Sequence, residues 1–198
     1  MKQILFILSI VAFIGGLIAA QQFLSGPSEQ KKLTPIAGKS FGGDFTLTPE
    51  SGPSVSLSDF RGKVVVLYFG YASCPDVCPT SLATIGSALK SLSKEELAQV
   101  QGIFISVDPE RDQGEKLMQF AQYFHPSMVG ITGTPEQIQT LAKQYGSYFA
   151  KVETDSALSY LMDHTSTTFV IGRDGGFIRS LAHGSTAEEM ATGIRSAL

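Results

Sequence analysis

The chain has 198 residues, a formal net charge of −3 and a sequence pI of about 5.6. This length fits one globular domain with some additional sequence. The acidic balance excludes an ordinary nucleic-acid-binding protein, which normally carries a basic patch or a high pI. Only two cysteines are present, so a small domain stapled by several disulfides is also excluded.

The N-terminus is strongly apolar. After Lys2, residues 4–20 form an uncharged run of about 17 residues. This run is at the short end for a spanning helix and slightly longer than the core of a typical signal peptide. We predict an uncleaved signal anchor over residues 1–22, with a cleaved signal peptide as the alternative. Either would export the rest of the chain and place both thiols outside the cytoplasm, where free thiols are readily oxidised.

The domain is predicted over residues 41–198, after a polar linker at residues 23–40 that contains a Gly-Pro pair. Its first β-like runs, DFTLT and SVSL, surround the turn-rich PESGP and predict an N-terminal β-hairpin. A short turn that Ser58 caps follows the hairpin. The next run, KVVVLYFGY, is apolar and rich in β-branched and aromatic residues, as expected of a fully buried strand.

Helices alternate with the strands that follow. Apolar residues at helical spacing predict a helix directly after the cysteines, with Pro79 at its start. A second buried strand, VQGIFISVD, precedes a helix that a capping box of Asp112 and Glu115 opens. SMVGIT is a short strand, and Thr134 with Gln137 predicts the capping box of the next helix.

The C-terminal part predicts more strands and one helix. SYFAKVE is strand-like, and TTFVIGRDGGFIRSLA predicts two strands around a Gly-rich turn. Ser185 with Glu188 opens the final helix. This order predicts an α/β fold with a mixed central sheet flanked by helices. A thiol motif between the first buried strand and its helix is the thioredoxin-like arrangement.

Cys74 and Cys78 are the chemically reactive pair, with three residues between them. Residues four apart share a helix face, and a helix N-terminus favours thiolate over thiol. These features suit redox exchange and metal binding alike. An inert buried pair is disfavoured, because the flanking prolines and Asp76 indicate a surface loop. A purely structural disulfide is a further alternative.

The region DHTSTTFVI bears on the choice between redox and metal chemistry. A redox thioredoxin usually has two residues between its cysteines and a cis-proline at this place, whereas this region has no proline and contains His164. Thiolates select Cu(I) or zinc, imidazole suits copper, and zinc usually takes four ligands. The residues therefore allow a three-coordinate copper site, although a lone histidine is more often not a ligand. His125 and His183 are predicted to be loop or capping residues.

Three stretches, YFGYASCPDVCPTSL, IFISVDPERD and YLMDHTSTTFVIGRDG, closely resemble the Sco/SenC family of copper-binding assembly proteins over roughly residues 41–198. The resemblance implies a thioredoxin-like fold on a single membrane anchor. It implies that Cys74, Cys78 and His164 are the copper ligands. It also implies that the protein delivers copper to the dinuclear copper centre of cytochrome c oxidase subunit II, or reduces the thiols of that centre.

On this basis we expect a membrane-tethered copper chaperone for Cu(I) or Cu(II) rather than an enzyme. A thiol–disulfide oxidoreductase that reduces the cysteines of subunit II before metallation is the alternative. A thiol peroxidase is a third class, but no Thr-x-x-Cys arrangement precedes Cys74. The expected location is the cytoplasmic (inner) membrane with the domain facing the periplasm, and the mitochondrial inner membrane is the alternative. The expected partners are subunit II, a second copper chaperone as donor and a thioredoxin-like reductant, but no nucleic acid.

Residues around the three ligands have expected supporting roles. The DPERD element, residues 108–112, is expected to order the loop beside the site, with a partner-facing role as the alternative. Asp163 is expected to help position the imidazole. Asp76 either tunes the site or contacts a partner, and a solvated loop acid is the other reading. Met162 is expected to pack in the core, because adjacent residues of an extended segment point to opposite faces. His164 is expected in a loop that precedes a strand and can move.

Overall fold

The computed structural model describes residues 41–155 and 159–198. The predicted anchor at residues 1–22 and the linker at residues 23–40 lie outside this part of the chain. Within it, no helix is both long enough and apolar enough to cross a bilayer.

In the described ranges the chain forms nine strands, five α-helices and a 3₁₀ turn at Leu57–Phe60. The strands are β1 (Thr46–Leu47), β2 (Val55–Ser56), β3 (Val64–Gly70), β4 (Val100–Ser106), β5 (Met128–Ile131), β6 (Phe149–Glu153), β7 (Tyr160–His164), β8 (Thr168–Ile171) and β9 (Phe177–Leu181). The helices are α1 (Val77–Lys90), α2 (Lys94–Leu97), α3 (Gly114–Phe124), α4 (Pro135–Gln144) and α5 (Ala187–Arg195).

Five strands form the central sheet in the order β5-β4-β3-β8-β9. β3, β4 and β5 run parallel, whereas β8 is antiparallel to both β3 and β9. Every residue of β3 and β4 is buried, which explains why β3 is a continuous apolar run and why β4 is mostly apolar rather than alternating. The predicted α/β class with a mixed central sheet is confirmed.

Two further pairs of strands lie outside the central sheet. β1 pairs with β2 as the predicted N-terminal hairpin. β6 and β7 form a second two-stranded antiparallel sheet, in which His164 is paired with Phe149. His164 is therefore the last residue of a strand, and its predicted place in a loop is wrong. The run YLMDH has no β-branched residue, so its strand character comes from its pairing with β6.

The helix starts test the predicted caps. At α4 the prediction is confirmed: the Thr134 side chain accepts a hydrogen bond from the Gln137 N–H. At α5 the box is formed by Thr186 and Glu189, one residue later than predicted. The sequence STAEE contains both spacings, so local pattern alone does not distinguish them.

Two other predicted caps are wrong. The 3₁₀ turn begins after Ser56, whose N–H donates to Asp59, and Ser58 lies inside the turn. At α3 the N-cap is Gln113, and Asp112 does not form the predicted capping box. The carboxylate of Asp112 instead accepts hydrogen bonds from the Ala72 N–H and the Ser106 hydroxyl.

The buried helix faces follow the predicted spacing. In α1, Leu82, Ile85 and Leu89 are fully buried. In α3, Leu117 and Ala121 are buried, whereas Phe120 and Phe124 on the same face are half-buried. α1 begins at Val77, so Cys78 lies in its first turn. The packing of α1 therefore holds this thiol against the core rather than in an exposed loop.

Candidate metal centre

The structure brings the three predicted ligands together. Cys74 lies in the β3–α1 connection and is partly buried, whereas Cys78 is buried. His164 arrives from the end of β7. One ligand atom from each residue lies within 4.8 Å of the other two, an arrangement that could hold a metal ion. The fold thus joins residues that are 86 positions apart in the chain.

The imidazole of His164 is oriented by two polar contacts. Its Nε2 lies 3.1 Å from Sγ of Cys78, and its Nδ1 lies 3.2 Å from the carbonyl oxygen of Thr165. A carbonyl only accepts, so Nδ1 carries a proton, and Nε2 is the ring nitrogen that faces the cysteines. Asp163, expected in this orienting role, is exposed on the opposite face of β7.

Two tyrosine rings enclose the imidazole edge-on. The ring centroids of Tyr68 and Tyr71 lie 6.3 Å and 5.8 Å from that of His164, at interplanar angles of 86° and 89°. Both tyrosines are buried. Burial raises the pKa of Tyr68, and it raises the pKa of Tyr71 to about 12, so both phenols stay neutral at physiological pH. The rings form an apolar wall behind the donor atoms.

The two thiols have opposite electrostatic environments. The pKa of Cys74 is lowered to about 3, first because the Cys78 side chain hydrogen-bonds to its sulfur, then through His164 and the backbone N–H groups of Asp76 and Cys78. The hydrogen bond with Cys74 and burial raise the pKa of Cys78. At neutral pH the pair therefore consists of a Cys74 thiolate and a Cys78 thiol. The exposed Asp76 acts on the site through its backbone, and its side chain makes no cap bond.

Gly70 is a site residue that the sequence reasoning missed. A Cβ at this position would lie 2.7 Å from Sγ of Cys78, 3.0 Å from the Phe104 ring and 3.1 Å from the Tyr68 ring. Only a residue without a side chain leaves room for the thiol here. The available signal was an isolated glycine at the end of an apolar strand, which often marks a close approach.

Asp112 supports the cysteine loop. Its Oδ2 accepts hydrogen bonds from the Ala72 N–H at 2.8 Å and from the Ser106 hydroxyl at 2.5 Å. The carboxyl is buried, and burial raises its pKa. This contact ties the β3–α1 connection, two residues before Cys74, to the end of β4. These tertiary donors replace the helix cap that the sequence predicted.

The DPERD element contacts the strand that carries His164. Asp108 forms an ion pair with Arg111 and accepts a hydrogen bond from the Tyr160 hydroxyl at 2.9 Å. The Arg111 guanidinium lies over the Tyr160 ring, 3.7 Å from its centroid. These contacts support the expected ordering role of the element.

The other two histidines are outside the three-ligand group, and Met162 is buried. Met162 is buried as predicted, but the stated reason is wrong, because residues two apart on β7 share a face and Met162 lies on the same face as His164. His125 directly follows α3 and contacts the Ser127 hydroxyl. His183 contacts Ser81.

Comparison with known proteins extends these observations. A family model described as SCO1/SenC matches residues 34–198. The mitochondrial protein SCO1 homolog 1 of Arabidopsis thaliana is 33% identical over 161 residues, which are 81% of this chain and 48% of that protein. The chain thus spans about half the length of this relative.

Two solved structures share the fold. The structure of Arabidopsis thaliana ScoI with copper bound is 32% identical, has a TM-score of 0.73, and the match covers 80% of this chain and 98% of that one. The structure of Bradyrhizobium japonicum ScoI with copper bound is 37% identical, has a TM-score of 0.71, and the match covers 80% of this chain and 100% of that one. With its mixed sheet, its paired cysteines after β3 and the family match over most of its length, the chain belongs to the SCO1/SenC family.

Proposed function

We propose that this chain binds copper through Cys74, Cys78 and His164 and delivers it, as cargo, to the dinuclear copper centre of cytochrome c oxidase subunit II during oxidase assembly. The observation that carries the proposal is the convergence of two sulfurs and one imidazole nitrogen within 4.8 Å. The copper-bound relatives support the choice of metal.

The donor set suits copper and its transfer. Soft thiolates favour Cu(I), and imidazole suits copper in general. Three protein ligands leave a position open at which an incoming donor from the recipient can begin ligand exchange. Because Cys78 is a thiol in the apo protein, copper binding displaces its proton, so affinity rises with pH until that proton is lost.

The proposed location is outside the cytoplasm, on a membrane anchor formed by residues 1–22. The uncharged apolar run of those residues supports it. The proposed partners are subunit II as recipient, another copper chaperone as donor and a thioredoxin-like reductant that keeps the cysteine pair reduced.

A second candidate function is thiol–disulfide exchange with subunit II. The observation in its favour is that Cys74 and Cys78 are both free and close together, in an environment that lowers the pKa of Cys74 to about 3 through the hydrogen bond from Cys78. The Cys74 thiolate attacks one sulfur of the partner's disulfide, forming a mixed disulfide and releasing the other sulfur as a thiolate. Cys78, deprotonated, then attacks Sγ of Cys74 and releases the second partner thiol. The partner gains two electrons, and the Cys74–Cys78 pair is oxidised to a disulfide.

The copper proposal is tested by metal content and Cu(II) spectrum of the full chain and its Cys74→Ala, Cys78→Ala and His164→Ala variants. We expect both cysteine variants to lose copper. The histidine variant should release Cu(II) more than tenfold faster, because loss of a ligand costs at least as much as loss of an outer partner of a ligand. His183→Ala is the matched control, because this exposed histidine lies outside the ligand group. Unchanged Cu(II) binding by His164→Ala would refute the three-ligand proposal.

The reductase candidate is tested by the rate at which the reduced chain opens the disulfide of subunit II. We expect this rate to exceed that of a small-molecule dithiol at the same thiolate concentration. An equal or slower rate would exclude thiol exchange as the specific activity.

A further inference from the structure

We call β6 and β7, the strand pair that carries His164, the histidine arm of the site. In the described part of the chain, β6 and β7 pair only with each other and have no strand pairing with the central sheet. β7 begins at Tyr160 and ends at His164. β7 is therefore held to the domain by side-chain contacts and by residues 165–167, which connect His164 to β8.

Tyr160, the first residue of β7, makes several of these side-chain contacts. Its ring lies between two cations, with Cζ of Arg111 at 3.7 Å and Nζ of Lys151 at 3.9 Å from the centroid. Its hydroxyl donates to Asp108, and Nη1 of Arg111 donates to its backbone carbonyl at 3.1 Å. The residue is 9% exposed, and cation–π contacts are stronger where the ring is desolvated. We call Asp108, Arg111, Lys151 and Tyr160 the Tyr160 clasp.

Hydrogen bonds continue from the clasp to the cysteine loop. The Asp108 N–H donates to Oγ of Ser106 at 3.1 Å, and the Ser106 hydroxyl donates to Asp112. Asp112 also accepts the N–H of Ala72, two residues before Cys74. One chain of contacts thus joins the strand that carries His164 to the loop that carries Cys74.

The geometry lets the clasp act on the imidazole. Tyr160 and His164 lie on one face of β7, and four residues of extended strand span about 13 Å. A strand held firmly at Tyr160 limits the positions that His164 can reach.

We propose that the Tyr160 clasp positions His164 against the two cysteines and thereby sets how long Cu(II) stays bound. This inference rests on the proposed copper binding. Two thiolates suffice for Cu(I), whereas Cu(II) depends more on the imidazole nitrogen. Loosening the clasp therefore shortens the lifetime of bound Cu(II) and leaves Cu(I) affinity nearly unchanged. Arg111 and Tyr160 are positioning residues, since they act through β7.

The experiment uses the full chain with Arg111→Gln and Tyr160→Phe. Arg195→Gln is the matched control, because it removes an arginine ion pair, with Glu96 in α2, that involves no residue of the clasp or of the ligand group. The measurements are the Cu(II) dissociation rate, the Cu(I) affinity by competition with a chromophoric chelator, and amide hydrogen exchange of residues 161–164 in the apo protein.

Arg111→Gln should speed Cu(II) release about tenfold, the lower end for loss of an outer contact of a metal ligand. Tyr160→Phe keeps the ring between the cations but loses the hydroxyl bond, so the expected acceleration is about fivefold. Cu(I) affinity should change by less than about threefold in both variants, since both thiolates remain. In the apo protein, both variants should exchange the amides of residues 161–164 faster than the control does.

Three results would overturn the inference: Cu(II) release at the wild-type rate in both variants, equal losses of Cu(I) and Cu(II) affinity, or unchanged amide exchange in β7. If Arg111→Gln fails to fold, the milder Tyr160→Phe decides by the same measurements. A wild-type chain that binds no copper refutes the proposed function instead, and the apo exchange data then still decide whether the clasp orders β7.

Discussion

The cysteine arm of the site comprises β3, the β3–α1 connection and the first turn of α1, and it is built differently from the histidine arm, β6 and β7. The cysteines follow β3, whose seven residues are all buried, and Cys78 is packed in the first turn of α1. His164 instead ends a two-stranded sheet whose β6 residues Lys151, Val152 and Glu153 are exposed. The thiols are therefore placed by the core, whereas the imidazole is placed by pairing with β6, by the short connection to β8 and by a few side-chain contacts.

Because of this difference, we expect that the two arms can be weakened separately. A change near the cysteines disturbs the core and the thiols together. A change in β6 or β7 is expected to move the imidazole while the central sheet stays intact. The following predictions test this contrast, beginning with the largest expected effect.

The first prediction concerns the reactivity of the cysteine arm in the reduced apo protein. The pKa of Cys74 is lowered to about 3, so this residue stays a thiolate and its alkylation by iodoacetamide should be nearly constant from pH 8 to pH 5. An ordinary thiol with a pKa near 8.5 slows about a thousandfold over the same range. Peptide mass spectrometry of timed samples gives the rate at each cysteine, and the buried Cys78 should react much more slowly.

Cys78→Ala is the control for this prediction. It removes the largest cause of the lowered pKa at Cys74, so the alkylation rate should regain part of its pH dependence. A Cys74 rate that falls tenfold per pH unit between pH 7 and pH 5 in the wild type would contradict the proposed thiolate.

The second prediction concerns the packing around the cysteine arm. In Gly70→Ala the new methyl group meets Sγ of Cys78 at 2.7 Å and two ring edges, in a strand that cannot shift freely. We expect a loss of about 1–3 kcal/mol in the free energy of unfolding, as for other overpacked cores, together with weaker copper binding. Urea unfolding and copper titration of the same preparations measure both.

Gly193→Ala in α5 is the matched control. Its nearest neighbour is a flexible methyl group of Leu181 at 3.2 Å, and alanine favours a helix interior over glycine. Its stability should therefore stay the same or rise. If Gly70→Ala were as stable as this control, the cysteine arm would be less tightly packed than the contrast requires.

The third and smallest effect is expected at the far end of the histidine arm. Oγ1 of Thr165 accepts the N–H of Tyr148 at 3.0 Å, beside the residue that ends β7. Thr165→Val removes this exposed bond, which water can replace, so stability should fall by about 1 kcal/mol or less. The Thr165 carbonyl that orients His164 remains, and Cu(II) release should accelerate by less than about threefold.

Thr165→Ser retains the acceptor and should behave as wild type. Stopped-flow measurement of Cu(II) release compares these variants with Arg111→Gln. If Thr165→Val released Cu(II) as fast as Arg111→Gln, the histidine arm would be held mainly beside His164 and not at Tyr160.

The sequence alone determined the parts of this protein that depend on local pattern. A continuous apolar run marked β3, a mostly apolar run marked β4, helical spacing marked the buried face of α1, and Thr134 with Gln137 marked the start of α4. These predictions succeed because periodicity and capping depend on neighbours in the chain. The resemblance in three separate stretches indicated the family.

Only the tertiary structure decided the features that depend on distant partners. Asp112 has the sequence of a helix cap, but its carboxylate accepts hydrogen bonds from the N–H of Ala72 and from the buried Ser106 hydroxyl. β7 exists because β6 pairs with it, and Gly70 is required because the Cys78 sulfur packs against its backbone. A buried hydrogen-bond donor needs an acceptor, and a crowded backbone needs a residue without a side chain. Which residues meet these needs depends on parts of the chain that are distant in sequence, so no local pattern contains that information.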